Sequence, residues 1–182
     1  MDRELVERAR GGDRDAFTVL VHQVSDRLYA IAHRILRDGD LAQDALQNAL
    51  VTTWRQLPHL RDVDRFEAWS QRILVHACYA ESRRRGRWGA TVRVIPFAPS
   101  TPDTSDALAG RDEIERAFRR LSPDHRAVLV LHHYVGLPLV EVAATLGIPA
   151  GTARSRLHNA SRVLRSAIEA DSLPTTEEVR LA

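Results

Sequence analysis

The stretch from Leu139 to Ile168 constrains this chain more than any other, because it sets two helical patterns either side of a fixed break. Leu139, Val142, Ala143 and Leu146 fall at i, i+3, i+4 and i+7, which puts four apolar groups on one face of a short helix. Gly147 ends it: a glycine one step past the last apolar residue supplies the left-handed backbone that closes a helix, and Pro149 cannot continue one. A second helix is predicted to begin near Gly151, with Ala153, Leu157, Ala160, Leu164 and Ala167 or Ile168 as its buried stripe. At about 100° per residue the opposite face carries Ser155, His158 and Arg162, flanked by Arg154, Asn159 and Arg165, and it holds no acid.

A helix, a tight glycine turn and a helix with a cationic, hydrogen-bonding outer surface make the sequence form of a helix-turn-helix that reads the major groove of DNA. An ordinary helical hairpin with a solvated basic face has the same local pattern, so the rest of the chain must decide. Net charge is only +2, but its distribution is uneven. Residues 83–93 hold five arginines and residues 150–166 hold four, with no acid in either stretch. Two basic islands, each at the end of a helical block, fit two modules that each present one cationic surface to a polyanion. Every one of the 26 basic side chains is Arg, a residue suited to phosphate and base edges, although codon bias in a GC-rich genome also accounts for the absence of Lys.

The 182 residues suffice for one medium or two small domains. No apolar run is long enough to span a membrane, and Met1 is followed by charged, amphipathic sequence instead of a signal peptide, so a cytoplasmic protein is expected. The single cysteine, Cys78, excludes an internal disulfide framework and reads as a small core residue or a modifiable thiol.

Residues 2–37 read as helix interrupted at Gly11-Gly12-Asp13, with Phe17, Leu20, Val21, Val24, Leu28, Ile31, Ala32 and Ile35 at core spacing. Asp40 is the expected N-cap of a helix from Leu41 to about Leu57, burying Leu41, Ala45, Leu46, Ala49, Leu50 and Thr53 or Trp54. Its outer side presents Gln43, Asp44, Gln47 and Asn48. Pro58 breaks it, residues 58–64 read as loop, and a further helix is expected from Arg65 to Arg85 with Phe66, Trp69, Ile73, Ala77 and Tyr79 or Ala80 inward. The cluster Arg83, Arg84, Arg85 and Arg87 exceeds what a helix C-terminus needs for its dipole, which points to nucleic acid. From Gly89 onward Pro96, Pro99 and Pro102 mark an extended linker. A second module starts near Asp112 with Ile114, Ala117, Phe118 and Leu121, then a helix capped by Ser122 with Pro123 at its first position.

On these residues the chain resembles the extracytoplasmic-function sigma factors, initiation subunits of bacterial RNA polymerase. The segment LSPDHRAVLVLHHYVGLPLVEVAATLGIPAGTARSRLHNA is similar to their C-terminal module. DLAQDALQNALVTTW, followed by RFEAWSQRI and an Arg cluster, is similar to their N-terminal one. The resemblance implies an all-α fold of two small helical domains joined by a flexible linker. Residues 1–88 would be region 2, 89–111 the linker, 112–170 region 4 with the helix-turn-helix, and 171–182 a tail. It further implies binding to core RNA polymerase, through the β′ clamp helices and the β subunit, and to promoter DNA.

The same resemblance places Asp44, Gln47 and Asn48 on the polymerase-docking strip, with Gln43 and Asn48 standing where relatives usually carry acids. His59, Arg61 and Asp62 lie in the loop that captures an extruded base of the −10 element, and any of them has a suitable donor or acceptor. Arg83, Arg84, Arg85 and Arg87 would meet nearby backbone. His76 and Ala80 replace the family's Asn and Asp in the next helix, and Trp69 reads as core. Ser155, His158 and Asn159 match the residues that enter the groove at the −35 element, with Arg154 and Arg162 on phosphates. Asn159 stands where Arg is common, and Asn pairs with adenine where Arg prefers guanine. An anti-sigma factor is a further partner the resemblance implies.

Enzyme chemistry is not expected. There is no HExxH motif, His-Cys cluster, glycine-rich phosphate loop or nucleophile elbow, so no catalytic residue, metal, cofactor or small-molecule substrate is assigned. The remaining alternative is a stand-alone helix-turn-helix transcriptional regulator, which would leave the N-terminal pattern unexplained.

Overall fold

The computed structural model describes residues 2–89 and 116–171, the side chains of 86–89 and 167–171 excepted. All regular elements among the described residues are helical. The expected linker beyond Gly89, the start of the second module at Asp112 and Ile114, and the tail beyond Asp171 lie outside the described residues.

Helices α1 (Arg3–Arg10) and α2 (Arg14–Leu36) start at Asp2 and Asp13, whose carboxylates accept from the Glu4 and Ala16 backbone N–H groups. Between them Gly12 has φ +97°, a conformation that a side chain would disfavour, so the chain turns there and not elsewhere. Arg37 closes α2 in the left-handed region, and α3 (Gly39–Gln56) follows at once. Its N-cap is Asp38, not the expected Asp40. The backbone is extended at Asp38, whose Oδ1 accepts from the Leu41 N–H at 3.0 Å; Asp40 sits inside the first turn, where its charge favours the helix dipole.

Two 3-10 turns, Leu57–His59 and Val63–Arg65, occupy what the sequence marks as loop. They turn Leu57, Leu60 and Val63 into the core and leave the polar residues between them exposed. Helix α4 (Phe66–Gly89) follows. Its burial departs from the expected stripe: Trp69, Ile73, Ala77 and Tyr79 are half-buried and Ala80 is exposed. Phe66 is buried as expected, and the other enclosed residues are Ser70, Gln71, Leu74, Val75, Cys78 and Glu81. The cause is packing from two directions, because α4 lies against α2 and α3 and also against helices of the second module.

That module comprises a helical turn at 116–119, α5 (Pro123–Leu129), a wide π turn (Val130–Tyr134), α6 (Leu139–Leu146) and α7 (Ala150–Asp171). Ser122 caps α5 with Pro123 at its first position, and Gly147 closes α6 at φ +66°, both as expected. Its separate core is small: Leu121, Leu129 and Ala160, with Phe118, Leu157, Val163 and Leu164 around them. Its other apolar face belongs to the main core. Ala127, Val128, Val130, Leu131, Val142 and Leu146 are continuous with Val6, Leu20, Ile31, Phe66, Leu74 and Cys78 of the first module. Full burial of a Val, Leu or Phe side chain stabilises by about 1.5–3 kcal/mol, so this shared face contributes substantially to how the modules sit. Among the described residues no helix is long and apolar enough to cross a membrane.

Candidate nucleic-acid interface

Helix α7 is oriented by what it buries. Ala153 and Ala160 are fully enclosed, and Leu157 packs between the two clusters, fixing which face turns outward. On that outer face Arg154, Ser155, His158, Asn159 and Arg162 are all exposed. The Ser155 hydroxyl donates to the Thr152 carbonyl at 3.0 Å, leaving its lone pairs to accept from outside. Arg156, from the same basic island, does something else: it pairs with Asp124 of α5 at 2.8 Å and ties α7 to the helix beneath. Donors, acceptors and positive charge on an acid-free face one helix wide suit the edges and phosphates of a duplex groove.

In the first module His59, Arg61 and Asp62 are exposed on the turns between α3 and α4. Asp62 is partly engaged, because its Oδ1 accepts from the Asp64 N–H at 3.1 Å and caps the second turn. A cleft of about 650 Å³ opens beside it, lined by Arg61, Asp62, Arg65, Trp69 and Arg72 on one wall and by Glu141, Ala144 and Thr145 of α6 on the other. Trp69 is half-buried, with its ring tilted against Phe66 at 6.1 Å between centres.

The Arg cluster ending α4 is less free than its sequence suggests. Arg84 is 3.0 Å from Asp44 and 2.9 Å from Glu81, and Arg85 pairs with Asp38. Arg83 is exposed, and the side chain of Arg87 lies outside the described residues. Asn48, on the same strip as Asp44, donates to Glu81 Oε1 at 3.0 Å, while Gln47 is exposed. The expected polymerase-docking strip and the expected DNA-backbone cluster are therefore linked through Glu81, a residue that sequence reasoning missed. Its signal was present: an acid three residues before Arg84 on one helix, although its burial was not legible.

Cys78 is buried against the core, which pushes its thiol up to about 12 and makes it a poor nucleophile at neutral pH. Burial, followed by the charges of Arg37 and Arg34, lowers the His33 pKa; burial, with Arg72 and Arg83, does the same for His76. No group of three or more His, Cys, Asp or Glu is gathered among the described residues as a metal ion would require.

Comparison with known proteins agrees with this two-module geometry. Residues 20–88 match the model of Sigma-70 region 2, and residues 117–166 match that of Sigma-70 region 4. The RNA polymerase sigma-E factor of Streptomyces avermitilis is 32% identical over 157 residues, covering 86% of this chain and 87% of that one. The RNA polymerase sigma-H factor of Pseudomonas aeruginosa is 29% identical over 181 residues, with 92% and 94% covered. The solved structure of CnrH, in complex with the cytosolic domain of CnrY, matches with a TM-score of 0.67 at 27% identity, over 94% of this chain and 99% of that one. Matching both regions in this order, and aligned with curated relatives over most of its length, this protein belongs to the sigma-70 family as an extracytoplasmic-function RNA polymerase sigma factor.

Proposed function

We propose that this sigma factor reads the −35 element with α7 and the −10 element with the turns between α3 and α4, while α3 docks on core polymerase. The observation that carries the reading is the outer face of α7, where all five expected contact residues are exposed together and no acid interrupts them. Ser155, His158 and Asn159 are the base readers, and Arg154 and Arg162 hold phosphates on either side. In the first module the turns carrying His59, Arg61 and Asp62 capture the extruded base through one or more of these side chains, and Arg83, with Arg84, Arg85 and Arg87, meets the backbone. Asp44, Gln47 and Asn48 face the β′ clamp helices, where one acid flanked by amides steers less strongly than a fully acidic strip would.

Region 2 then spans residues 1–88, region 4 spans 112–170, and 89–111 connects them. The chain acts in the cytoplasm, without enzymatic chemistry of its own. The likeness to CnrH, solved with the cytosolic domain of CnrY, supports an anti-sigma partner for this chain as well.

Gel-shift titration of one promoter fragment, with and without core polymerase, tests the assignment. Tight, sequence-dependent binding is expected only when polymerase is present, and Asp44→Asn should raise the polymerase concentration required. Equally specific binding by the purified chain alone would overturn it in favour of a stand-alone regulator.

A further inference from the structure

Cations converge where the end of α2 meets α5, and no carboxylate of the described residues pairs with the most buried of them, Arg126. We propose that this seam binds a phosphate-type oxyanion between Arg126 of α5 and Arg37, the residue that closes α2.

Arg126 is the key residue. It is enclosed to 9% exposure, and its Nε is buried without a hydrogen-bond partner among the described residues. A long cationic side chain ordinarily buries its stem and keeps its head in water; here part of the head itself is drawn in. Burial, with Arg37 beside it, lowers its pKa to about 10. The guanidinium therefore stays charged at neutral pH and does not relieve its burial by losing the proton. Among the described residues the charge that acts on it is that of Arg37, which has the same sign. Buried charges are stable when paired, so the partner this one calls for is an anion.

The surroundings fit that ligand. Burial, then the charges of Arg119 and Arg34, lower the Arg37 pKa, so two further cations lie within electrostatic reach. Asp38, the acid next to Arg37 in sequence, is already engaged, capping α3 at Leu41 and pairing with Arg85. Arg37 stands in the left-handed region at φ 59°, alone among the described non-glycine residues. Glycine closes a helix there without steric cost, whereas arginine strains the backbone and delivers a guanidinium to the seam. Planar guanidinium forks match the oxygens of a tetrahedral oxyanion, and a divalent one offsets both charges where a single carboxylate offsets one. With so little of Arg126 exposed, the ligand is compact: orthophosphate, or one end of a pyrophosphate group.

Isothermal titration of the full chain with orthophosphate, and separately with pyrophosphate, at constant ionic strength in chloride provides the test. Saturable binding at a single site is expected. Arg37→Gly, which suits the turn, should weaken it by about tenfold or more, and Arg126→Met should abolish it. Should Arg126→Met fail to fold, Arg126→Lys, which keeps the charge but loses the fork, takes its place with a weakening of the same order. Tighter binding of pyrophosphate would identify a diphosphate as the ligand, and equal affinities a single phosphate group. Arg154→Ala with Arg162→Ala should leave both affinities unchanged, because those side chains lie on the outer face of α7. On adding the anion the unaltered chain should gain in Tm and Arg126→Met should not. Absence of saturable binding, binding that survives the Arg37 and Arg126 substitutions, or binding lost with Arg154 and Arg162 would each overturn the site. None of these measurements uses DNA or polymerase, so they stand apart from the promoter assignment.

Discussion

The guanidinium of Arg34 sits 3.8 Å from the centre of the Tyr134 ring, joining a helix of region 2 to the π turn of region 4. Tyr134 keeps nearly half its surface exposed at 47%. A partly desolvated cation over an aromatic face stabilises by about 0.5–2 kcal/mol. Thermal unfolding of Arg34→Gln, Tyr134→Ala and the double variant should therefore show a coupling of that order in a double-mutant cycle. Strictly additive losses would mean that the contact contributes nothing.

Asp38 supplies a second stability prediction. Burial raises its pKa, but the Leu41 N–H and Arg85 outweigh that, and the net shift is below the ordinary 3.8. Its contribution is thus present above about pH 4 and fades as pH falls through the lowered folded-state value. Asp38→Ala should cost about 1 kcal/mol at pH 7, as loss of a helix cap does. Urea titrations at several pH values should show that difference shrinking in acid. A constant difference down to pH 2 would show that the carboxylate is not the source.

Arg154 and Arg162 should act through charge alone. Replacing either by Ala is expected to weaken promoter binding by the polymerase complex nearly uniformly across sequences, and to reduce the slope of log affinity against log salt by about 1. An unchanged slope would remove that residue from the phosphate contacts.

Asn159 should act through base identity. Changing Asn159→Arg exchanges adenine-type for guanine-type pairing, so preference should shift mainly at one −35 base, with discrimination of about 1–3 kcal/mol there. Selection of bound sequences from a randomised −35 library reads this directly, and coincident profiles would show that Asn159 is not a reader.

The fold was largely legible because its helices are amphipathic and punctuated: Gly12, Pro58, Ser122-Pro123 and Gly147 all fall where an element ends or begins. The outward face of α7 was legible for the same reason, since its alanines and leucines fix the opposite side. Besides the shift of the α3 cap from Asp40 to Asp38, two features escaped. Burial on α4 was misplaced at Ala80 and missed at Leu74, Val75 and Glu81, because the second module packs on a helix whose sequence shows only one face's periodicity. The Arg cluster read as free cations, yet Arg84 and Arg85 meet Asp44 and Asp38 from a helix some 40 residues earlier, a pairing that local sequence cannot encode.

The most direct measurement is in vitro transcription with this chain and bacterial core polymerase on a fragmented genomic library, with transcript starts sequenced. The account predicts chain-dependent starts that share a spaced −35 and −10 pair, lost together when Arg154 and Arg162 are replaced by Ala. A folded chain that gives no starts of its own beside active core enzyme would contradict it.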